Sequence, residues 1–225
     1  MKKFLPFFLA AAIFTTCAGR PGKAAFIPTL PVQNPENAEW SGPYIITDHK
    51  NSADGGNIPE WVTSYLDRGV RGVEALSSYR NRYVFVSLNE GTHVRALSQW
   101  AEGFSAELDF PRLAASRIET RFLASSPYPD SEYGNFFESL IRTASDTQWK
   151  GAEKEDEYWI YKKNLSYELT PENEYYVFLI LITIDKNSFA SQLNEVFRKV
   201  MPNPRPTKEQ TAAANRVKDR FFDGF

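Results

Sequence analysis

The stretch YYVFLILITI, residues 175–184, carries an apolar side chain at nearly every position. A run of this kind, rich in β-branched and aromatic residues, is typical of a strand that is buried on both faces or lies at the centre of a sheet. It is about half as long as the roughly 20 apolar residues that cross a bilayer. We therefore predict a central strand here and not a transmembrane helix.

A second strand precedes this one along the chain. In YWIYKKNLSYEL, residues 158–169, polar and apolar side chains interleave, and the turn Thr170–Glu174 contains Pro171. Two strands joined by a short turn predict a long antiparallel hairpin. A third strand is predicted at residues 82–88, which are dense in β-branched and aromatic side chains. A further short strand is compatible with residues 44–47.

The other apolar residues recur at three- and four-residue spacing, which is typical of helices with one buried face. Helical segments are predicted at residues 59–66, 94–108, 113–125, 133–149 and 185–197. Asp109-Phe110-Pro111 is expected to break or kink the helix between the second and third of these segments, because proline lacks an N–H and clashes with the preceding turn. The prediction is an α+β fold: a small antiparallel sheet of three or four strands with helices packed mainly on one face.

The N-terminus has the features of a targeting signal. Met1-Lys2-Lys3 is charged, residues 4–14 are apolar, and the single cysteine of the chain, Cys17, follows Thr16. This order resembles a bacterial lipoprotein signal, in which the cysteine is acylated and becomes the new N-terminus. Cleavage by the ordinary signal peptidase at Lys23-Ala24-Ala25 is the alternative, and it would release a soluble protein without the cysteine.

The residues after Cys17 fit a lipid-anchored protein. Several acyl chains hold a protein firmly on a bilayer, whereas one chain holds it only marginally. Ala18 is not the aspartate that often retains lipoproteins in the inner membrane, so the resemblance implies the outer membrane, on its periplasmic or surface face. The predicted organisation is a signal peptide at 1–17, a Pro/Gly-rich tether and loop at 18–57, an α+β domain at 58–201 and a C-terminal helical tail at 202–225.

Composition and motifs exclude several function classes. The formal net charge is −2 and the pI is about 5.8, which argues against a nucleic-acid-binding protein because phosphate contacts need a clustered basic surface. One cysteine cannot form an internal disulfide. The sequence contains no P-loop, G-x-S-x-G or dinucleotide-binding glycine pattern. We therefore predict no cofactor, no metal and no enzymatic activity.

The two histidines are the remaining candidates for chemistry, although neither has the spacing of a zinc motif. His49 lies beside Asp48, with Asp54 nearby, and is the better candidate for metal binding or acid–base catalysis. His93, at the start of a helix, is expected to be solvated or to cap that helix. The acidic run at 153–157 is interpreted as a solvated loop before a strand.

Aromatic residues make up 15% of the chain, and several fall in the predicted hairpin. Most of the aromatic residues are expected in the core. Where they stay exposed, Tyr158, Trp159, Tyr161 and Tyr167 would form an interaction surface, because amphipathic rings provide contact area at a low entropic cost.

One arrangement of residues resembles a known family. Ile58-Pro59-Glu60-Trp61-Val62 opens the domain, Trp149 follows the helices, and Tyr176-Val177-Phe178-Leu179 leads into Asp185-Lys186 and Phe189. Over about Ile58 to Phe197 this order resembles the twenty-kilodalton bacterial outer-membrane lipoprotein family and its relative, the N-terminal domain of flagellar assembly protein T. The resemblance implies a non-catalytic envelope protein that serves as a surface component or as an accessory of a periplasmic assembly such as the flagellar basal structure.

We therefore expect a non-enzymatic, lipid-anchored envelope protein that acts as a structural or assembly component through contacts with an envelope protein. The alternative is a module that binds peptidoglycan or another glycan through the aromatic residues of the 158–169 strand. A hydrolase comes third.

Overall fold

The computed structural model of the protein describes residues 44–125, 131–165 and 173–200, with residues 207, 208, 211, 212 and 215 of the C-terminal tail. Side chains are described in these ranges except at 121–125 and 131–135. The predicted signal peptide with Cys17, most of the tether, the hairpin turn and most of the tail lie outside the described residues. The elements are β1 Tyr44–His49, α1 Glu60–Glu74, β2 Arg82–Gly91, α2 Val94–Gly103, α3 Ala106–Ser125, α4 Ser131–Ser145, β3 Glu153–Asn164, β4 Glu174–Asp185 and α5 Lys186–Val200.

The four strands form one antiparallel sheet in the order β1-β3-β4-β2. β4 is central, and its Leu179 lies opposite both Tyr158 of β3 and Leu88 of β2. β1 pairs with the far side of β3, with an irregularity between Ile46 and Asp48. The predicted α+β fold with a small antiparallel sheet of three or four strands is confirmed.

β4 is apolar at nearly every position because both of its faces are covered. Its even-numbered residues from 178 to 184 enter one core, which side chains of α2, α3, α4 and α5 complete. Its odd-numbered residues from 177 to 181 enter a second core against α1. Full burial of a large apolar side chain stabilises a fold by about 1.5–3 kcal/mol. Because alternate residues of β4 are buried in different cores, the strand stabilises both of them. Of the helices α1–α5, four share one face of the sheet, as predicted.

The break between α2 and α3 falls at Phe104 and Ser105, and the prediction of a break at residues 109–111 is wrong. Two reciprocal bonds start α3: the Asp109 carboxylate accepts from the Ser105 N–H (2.9 Å), and the Asp109 N–H donates to the Ser105 carbonyl (2.8 Å). Pro111 lies in the second turn of α3, where it removes one backbone bond. The cap at Ser105 thus decides where the helix begins.

β3 begins at Glu153, so the interpretation of residues 153–157 as a solvated loop is wrong. Arg82 of β2 reaches across β4 to two of the carboxylates, at 3.3 and 3.1 Å. Lys154 forms an ion pair with Glu157 at 2.8 Å. Counter-charges from β2 and from β3 itself make an acidic run compatible with a sheet, because opposite charges on one face of a sheet attract.

α1 and α4 also differ from their predicted lengths. α1 continues past Leu66 to Glu74 with a kink at Gly69 (φ 64°, ψ −155°), a conformation that favours glycine. α4 ends at Ser145, and Trp149 follows it in a loop, where the indole N–H donates to the last turn of α4 (3.0 Å). Among the described residues, no helix combines the length and the apolar character needed to span a membrane.

Candidate interaction surface at the hairpin end of the sheet

All four strands meet at one end of the sheet, where β3 ends and β4 begins. Tyr44 at the start of β1 lies opposite Asn164 at the end of β3, and Gly91 at the end of β2 lies opposite Tyr176 of β4. We name this region the hairpin end and define it by residues 44–46, 88–91, 161–165 and 174–176. The residues that precede β1 therefore join the domain at its hairpin end.

Three half-buried aromatic rings lie at or beside the hairpin end, on the face that α2–α5 cover. The ring centroids of Tyr161 and Tyr176 are 4.6 Å apart, and those of Trp159 and Tyr176 are 5.7 Å apart. Trp159 also stacks on the buried Phe178 (6.3 Å, 24°). This aromatic patch, formed by Trp159, Tyr161 and Tyr176, is supported by the core and partly open to solvent.

The charged groups beside the aromatic patch neutralise one another. The Tyr161 hydroxyl donates to Glu174 Oε2 (3.1 Å), and the Lys163 ammonium pairs with the other oxygen of that carboxylate. The bonds from Lys163 and Tyr161 lower the pKa of Glu174. Burial, and then the bond to Glu174, raise the pKa of Tyr161. The patch therefore presents rings and a hydroxyl group beside a neutral ion pair.

Exposed apolar side chains lie next to the aromatic patch. Ile45 of β1 and Leu165, which follows β3, are each 45% exposed. Val94 begins α2 just after β2 ends and is 39% exposed. In the described part of the chain, one other large apolar side chain is as exposed, Leu108 at 80%. Three of these four residues are thus at or beside the hairpin end.

The opposite face of the hairpin end encloses a lysine. Lys162 is 4% exposed, and its Nζ lies 4.1 Å from the ring centroid of Tyr44 and 5.7 Å from that of Tyr175. Burial lowers the pKa of Lys162 to about 8, although the charge of Glu90 acts in the opposite direction. Cation–π contacts offset part of the cost of removing an ammonium group from water. The face that carries the aromatic patch therefore has partly exposed rings, whereas the opposite face has a buried ammonium group.

The structure separates the residues predicted for an interaction surface. Tyr158 is 3% exposed and lies in the core against α1, so it provides no contact area to a partner. Trp159 and Tyr161 face the other side and join the aromatic patch, together with Tyr176, which was not predicted for this surface. Tyr167 lies outside the described residues. Strand alternation, which sends neighbouring side chains to opposite faces, is the signal that separates Tyr158 from Trp159.

His49 does not pair its imidazole with the neighbouring carboxylate. Asp48 accepts hydrogen bonds from Ser52 and from the His49 backbone N–H (2.8 Å), and these bonds lower its pKa. The His49 imidazole shares a hydrogen bond with the Tyr158 hydroxyl (Nδ1···Oη, 2.8 Å). Asp54 ends the short 3₁₀ helix Ser52–Asp54. Within the described residues, no group of three or more His, Cys, Asp or Glu side chains is arranged to hold a metal ion.

The other ionisable candidates also have structural surroundings. His93 precedes α2, is exposed and makes no side-chain cap to the helix, so it is solvated. Asp156 accepts from the indole N–H of Trp61 (2.8 Å). Glu157 is bonded to Lys154 and to Lys50, and these partners, Lys154 first, lower its pKa. Asp156 and Glu157 of the acidic run therefore form hydrogen bonds that hold β3 in place.

Comparison with known proteins gives no relatives: no family model, no curated protein and no solved structure matches the chain. The family resemblance stays a prediction.

Proposed function

We propose that this chain is a non-enzymatic, lipid-anchored protein of the bacterial cell envelope that acts as a structural or assembly component through protein–protein contacts. In this proposal Cys17 carries the acyl chains, residues 18–43, the part of the predicted tether at 18–57 that precedes β1, connect it to the domain, and the outer membrane holds the protein. The flagellar apparatus is a candidate for the assembly. The proposal involves no cofactor, metal or nucleic acid.

The observation that carries the proposal is that the candidate catalytic side chains are engaged in hydrogen bonds within the domain. Asp48, Asp156 and Glu157 accept hydrogen bonds from a serine, an indole and two lysines. His49 bonds to the Tyr158 hydroxyl. A general acid or base has to exchange its proton with a substrate, whereas these groups join strands and helices to one another. This arrangement favours a structural protein over an enzyme.

The lipid anchor is supported by the sequence around the single thiol. An apolar run precedes Cys17, and the residues after it are rich in proline and glycine, as expected of a spacer. A spacer of this kind allows a domain to remain folded beside a bilayer without entering it.

A second candidate function is the binding of peptidoglycan or another glycan. The half-buried rings of Trp159 and Tyr161, with the Glu174 carboxylate beside them, favour it. An aromatic face packs against the C–H groups of a sugar ring, and a carboxylate accepts from sugar hydroxyls. Tyr158 is not part of this candidate site because it is buried.

Mass spectrometry of the native N-terminus tests the anchor. We expect the chain to begin at Cys17 with acyl groups on its thiol and amine. A chain that begins downstream of Cys17 and is not acylated would contradict the proposal.

A second experiment distinguishes the two functions. Cross-linking in intact envelopes, followed by purification of the tagged chain, is expected to give a stoichiometric protein partner. Retention on purified peptidoglycan sacculi, lost in Tyr176→Ala and kept in Tyr175→Ala, would favour glycan binding instead. The two variants are matched because these adjacent tyrosines lie on opposite faces of β4.

A further inference from the structure

The hairpin end is the part of the domain closest along the chain to the predicted anchor. Tyr44 is the first residue of β1 and belongs to the hairpin end. Residues 18–43 separate it from Cys17, and in this proposal they act as the predicted Pro/Gly-rich tether, for which a root-mean-square span on the order of 30 Å is expected. A folded domain of this size has a diameter of the same order. An anchored domain is therefore held within about one diameter of the lipid surface, with the hairpin end attached to the tether.

Exposed apolar groups are concentrated at this end and not at the other. Three of the four most exposed large apolar side chains in the described residues lie at or beside the hairpin end: Ile45, Val94 and Leu165. The fourth, Leu108, lies in the first turn of α3, shortly after the end of α2. α2 begins beside the hairpin end and runs away from it. The Ala101 carbonyl in the last turn of α2 accepts from Lys154 (2.9 Å), near the start of β3, which is the opposite end of the sheet.

The aromatic side chains at the hairpin end suit a boundary between water and lipid. Tyrosine and tryptophan are enriched at membrane–water interfaces, because their rings are apolar and their hydroxyl or indole N–H groups are polar. Tyrosines flank the hairpin end on both faces, and a tryptophan adjoins them: Tyr44, Tyr161, Tyr175, Tyr176 and Trp159. Lys163 and Glu174 neutralise each other at the same place.

We propose that the hairpin end lies against the membrane–water interface and so orients the anchored domain on the lipid surface. This inference rests on the proposed lipid anchor, which sustains a weak contact by raising its effective concentration. The contact depends on apolar and aromatic side chains, so uncharged lipid is sufficient. The end of the domain that carries Leu108 faces away from the membrane, where it is accessible to a protein partner.

Hydroxyl-radical footprinting tests this orientation, because it reports the solvent exposure of individual side chains by mass spectrometry. The chain has one cysteine, so the full chain can be coupled through Cys17 to a maleimide-bearing lipid in phosphatidylcholine vesicles. The same chain, with its thiol capped and without vesicles, is the reference. Chemical coupling makes this test independent of natural acylation, so failure of the orientation is distinguishable from failure of the anchor.

We expect the oxidation rates of Ile45, Tyr161, Leu165 and Tyr176 to fall several-fold on vesicles, while that of Leu108 stays unchanged. Equal rates with and without vesicles, or a similar fall at Leu108, would overturn the proposal. Protection of the four residues by purified sacculi or by an envelope protein, without protection by vesicles, would overturn it as well and would assign the surface to a glycan or a protein.

A matched pair of variants sharpens the result. Ile45→Glu combined with Leu165→Glu places two charges at the hairpin end and is expected to remove the protection of Tyr161 and Tyr176. Leu108→Glu places a charge on a more exposed leucine at the other end and is expected to retain it. All three side chains are exposed, so the variants should fold, and thermal unfolding checks this. Retained protection in the double variant would contradict the proposal.

Discussion

Arg117 of α3 and Glu74 of α1 meet at the outer edge of β2, although their helices lie on opposite faces of the sheet. Arg117 Nη2 donates to Glu74 Oε1 (3.2 Å), and both side chains are 6% exposed. They also bind the backbone of Val84: Glu74 accepts from its N–H (3.1 Å), and Arg117 donates to its carbonyl (2.7 Å). The pair joins the two layers and occupies backbone groups of an edge strand, which are otherwise open to another strand.

Removing one member of this pair should strongly destabilise the domain. Arg117→Met removes a positive charge that lies 3.2 Å from the buried Glu74 carboxylate, and Glu74→Gln removes the negative charge beside the buried Arg117 guanidinium. We expect each change to lower the free energy of unfolding by about 3–5 kcal/mol. The double variant should lose less than the sum of the two, because the two side chains interact directly. Urea unfolding of the four proteins measures the coupling.

An exposed ion pair on α5 provides the control. Arg198 and Glu195 are 75% and 53% exposed, so Arg198→Met should change the free energy of unfolding by less than about 1 kcal/mol. Additive losses at Glu74 and Arg117, or a loss no larger than that of the α5 variant, would show that the buried pair does not act as a unit.

The central features of the fold could be predicted from local pattern. The continuous apolar character of residues 175–184 indicated a strand with two covered faces, because a run of this kind cannot leave either face in water. The position of the α2–α3 break could not be predicted in the same way. Pro111 is conspicuous in the sequence, but the bonds between Ser105 and Asp109 determine the start of α3, and a short polar spacing of this kind is common in loops as well.

The candidate surface was only partly predictable because its members come from distant segments. Trp159 and Tyr161 can be identified from their aromatic character. Assigning their neighbour Tyr176 to the same surface requires the register of β3 against β4. The enclosure of Lys162 required the pairing of β1 with β3, which joins residues more than a hundred positions apart. No local pattern gives that register, since a shift of one residue would send every side chain to the other face.

The hydrogen bond between Trp61 and Asp156 should contribute measurably to stability. The indole N–H of Trp61, which is 5% exposed, donates to Asp156 Oδ2 at 2.8 Å and joins α1 to β3. Asp156→Ala leaves a buried donor without its acceptor, and we expect a loss of about 1–3 kcal/mol in the free energy of unfolding. Asp156→Asn keeps an acceptor and should lose clearly less. Equal losses in chemical denaturation would show that the hydrogen bond is not the source of the effect.

Gly72 should not tolerate a side chain. The kink in α1 brings its backbone so close to the preceding turn that an added Cβ would lie 2.2 Å from the Ser64 carbonyl oxygen. Gly72→Ala should therefore lower the free energy of unfolding by about 3 kcal/mol, since backbone has to move. The control is Gly103→Ala at the end of α2, where an added Cβ has nothing within 4 Å. There we expect no loss, or a gain of up to about 1 kcal/mol, in thermal unfolding.

The buried Lys162 should make stability depend on pH in a defined direction. Its pKa falls from 10.5 to about 8 in the folded domain, so between these values the unfolded chain binds the proton more tightly than the folded one. Stability should then rise with pH across this interval as far as this group is concerned, because the cost of burying the charge is fully present below pH 8 and is relieved above it.

Lys162→Met tests this dependence because it keeps the apolar stem and removes the charge. At pH 7 the variant should be more stable than the wild type by on the order of 1 kcal/mol, since the contacts with Tyr44 and Tyr175 offset part of the desolvation. The difference should shrink as pH rises from about 8 toward 10.5. Lys163→Met is the control: it removes the neighbouring ammonium, which pairs with Glu174 on the other face, and leaves Lys162 in place, so the rise in stability that Lys162 causes should persist. Unfolding midpoints measured across this pH range give the answer, and a variant less stable than wild type at pH 7 would mean that the enclosed ammonium stabilises the hairpin end.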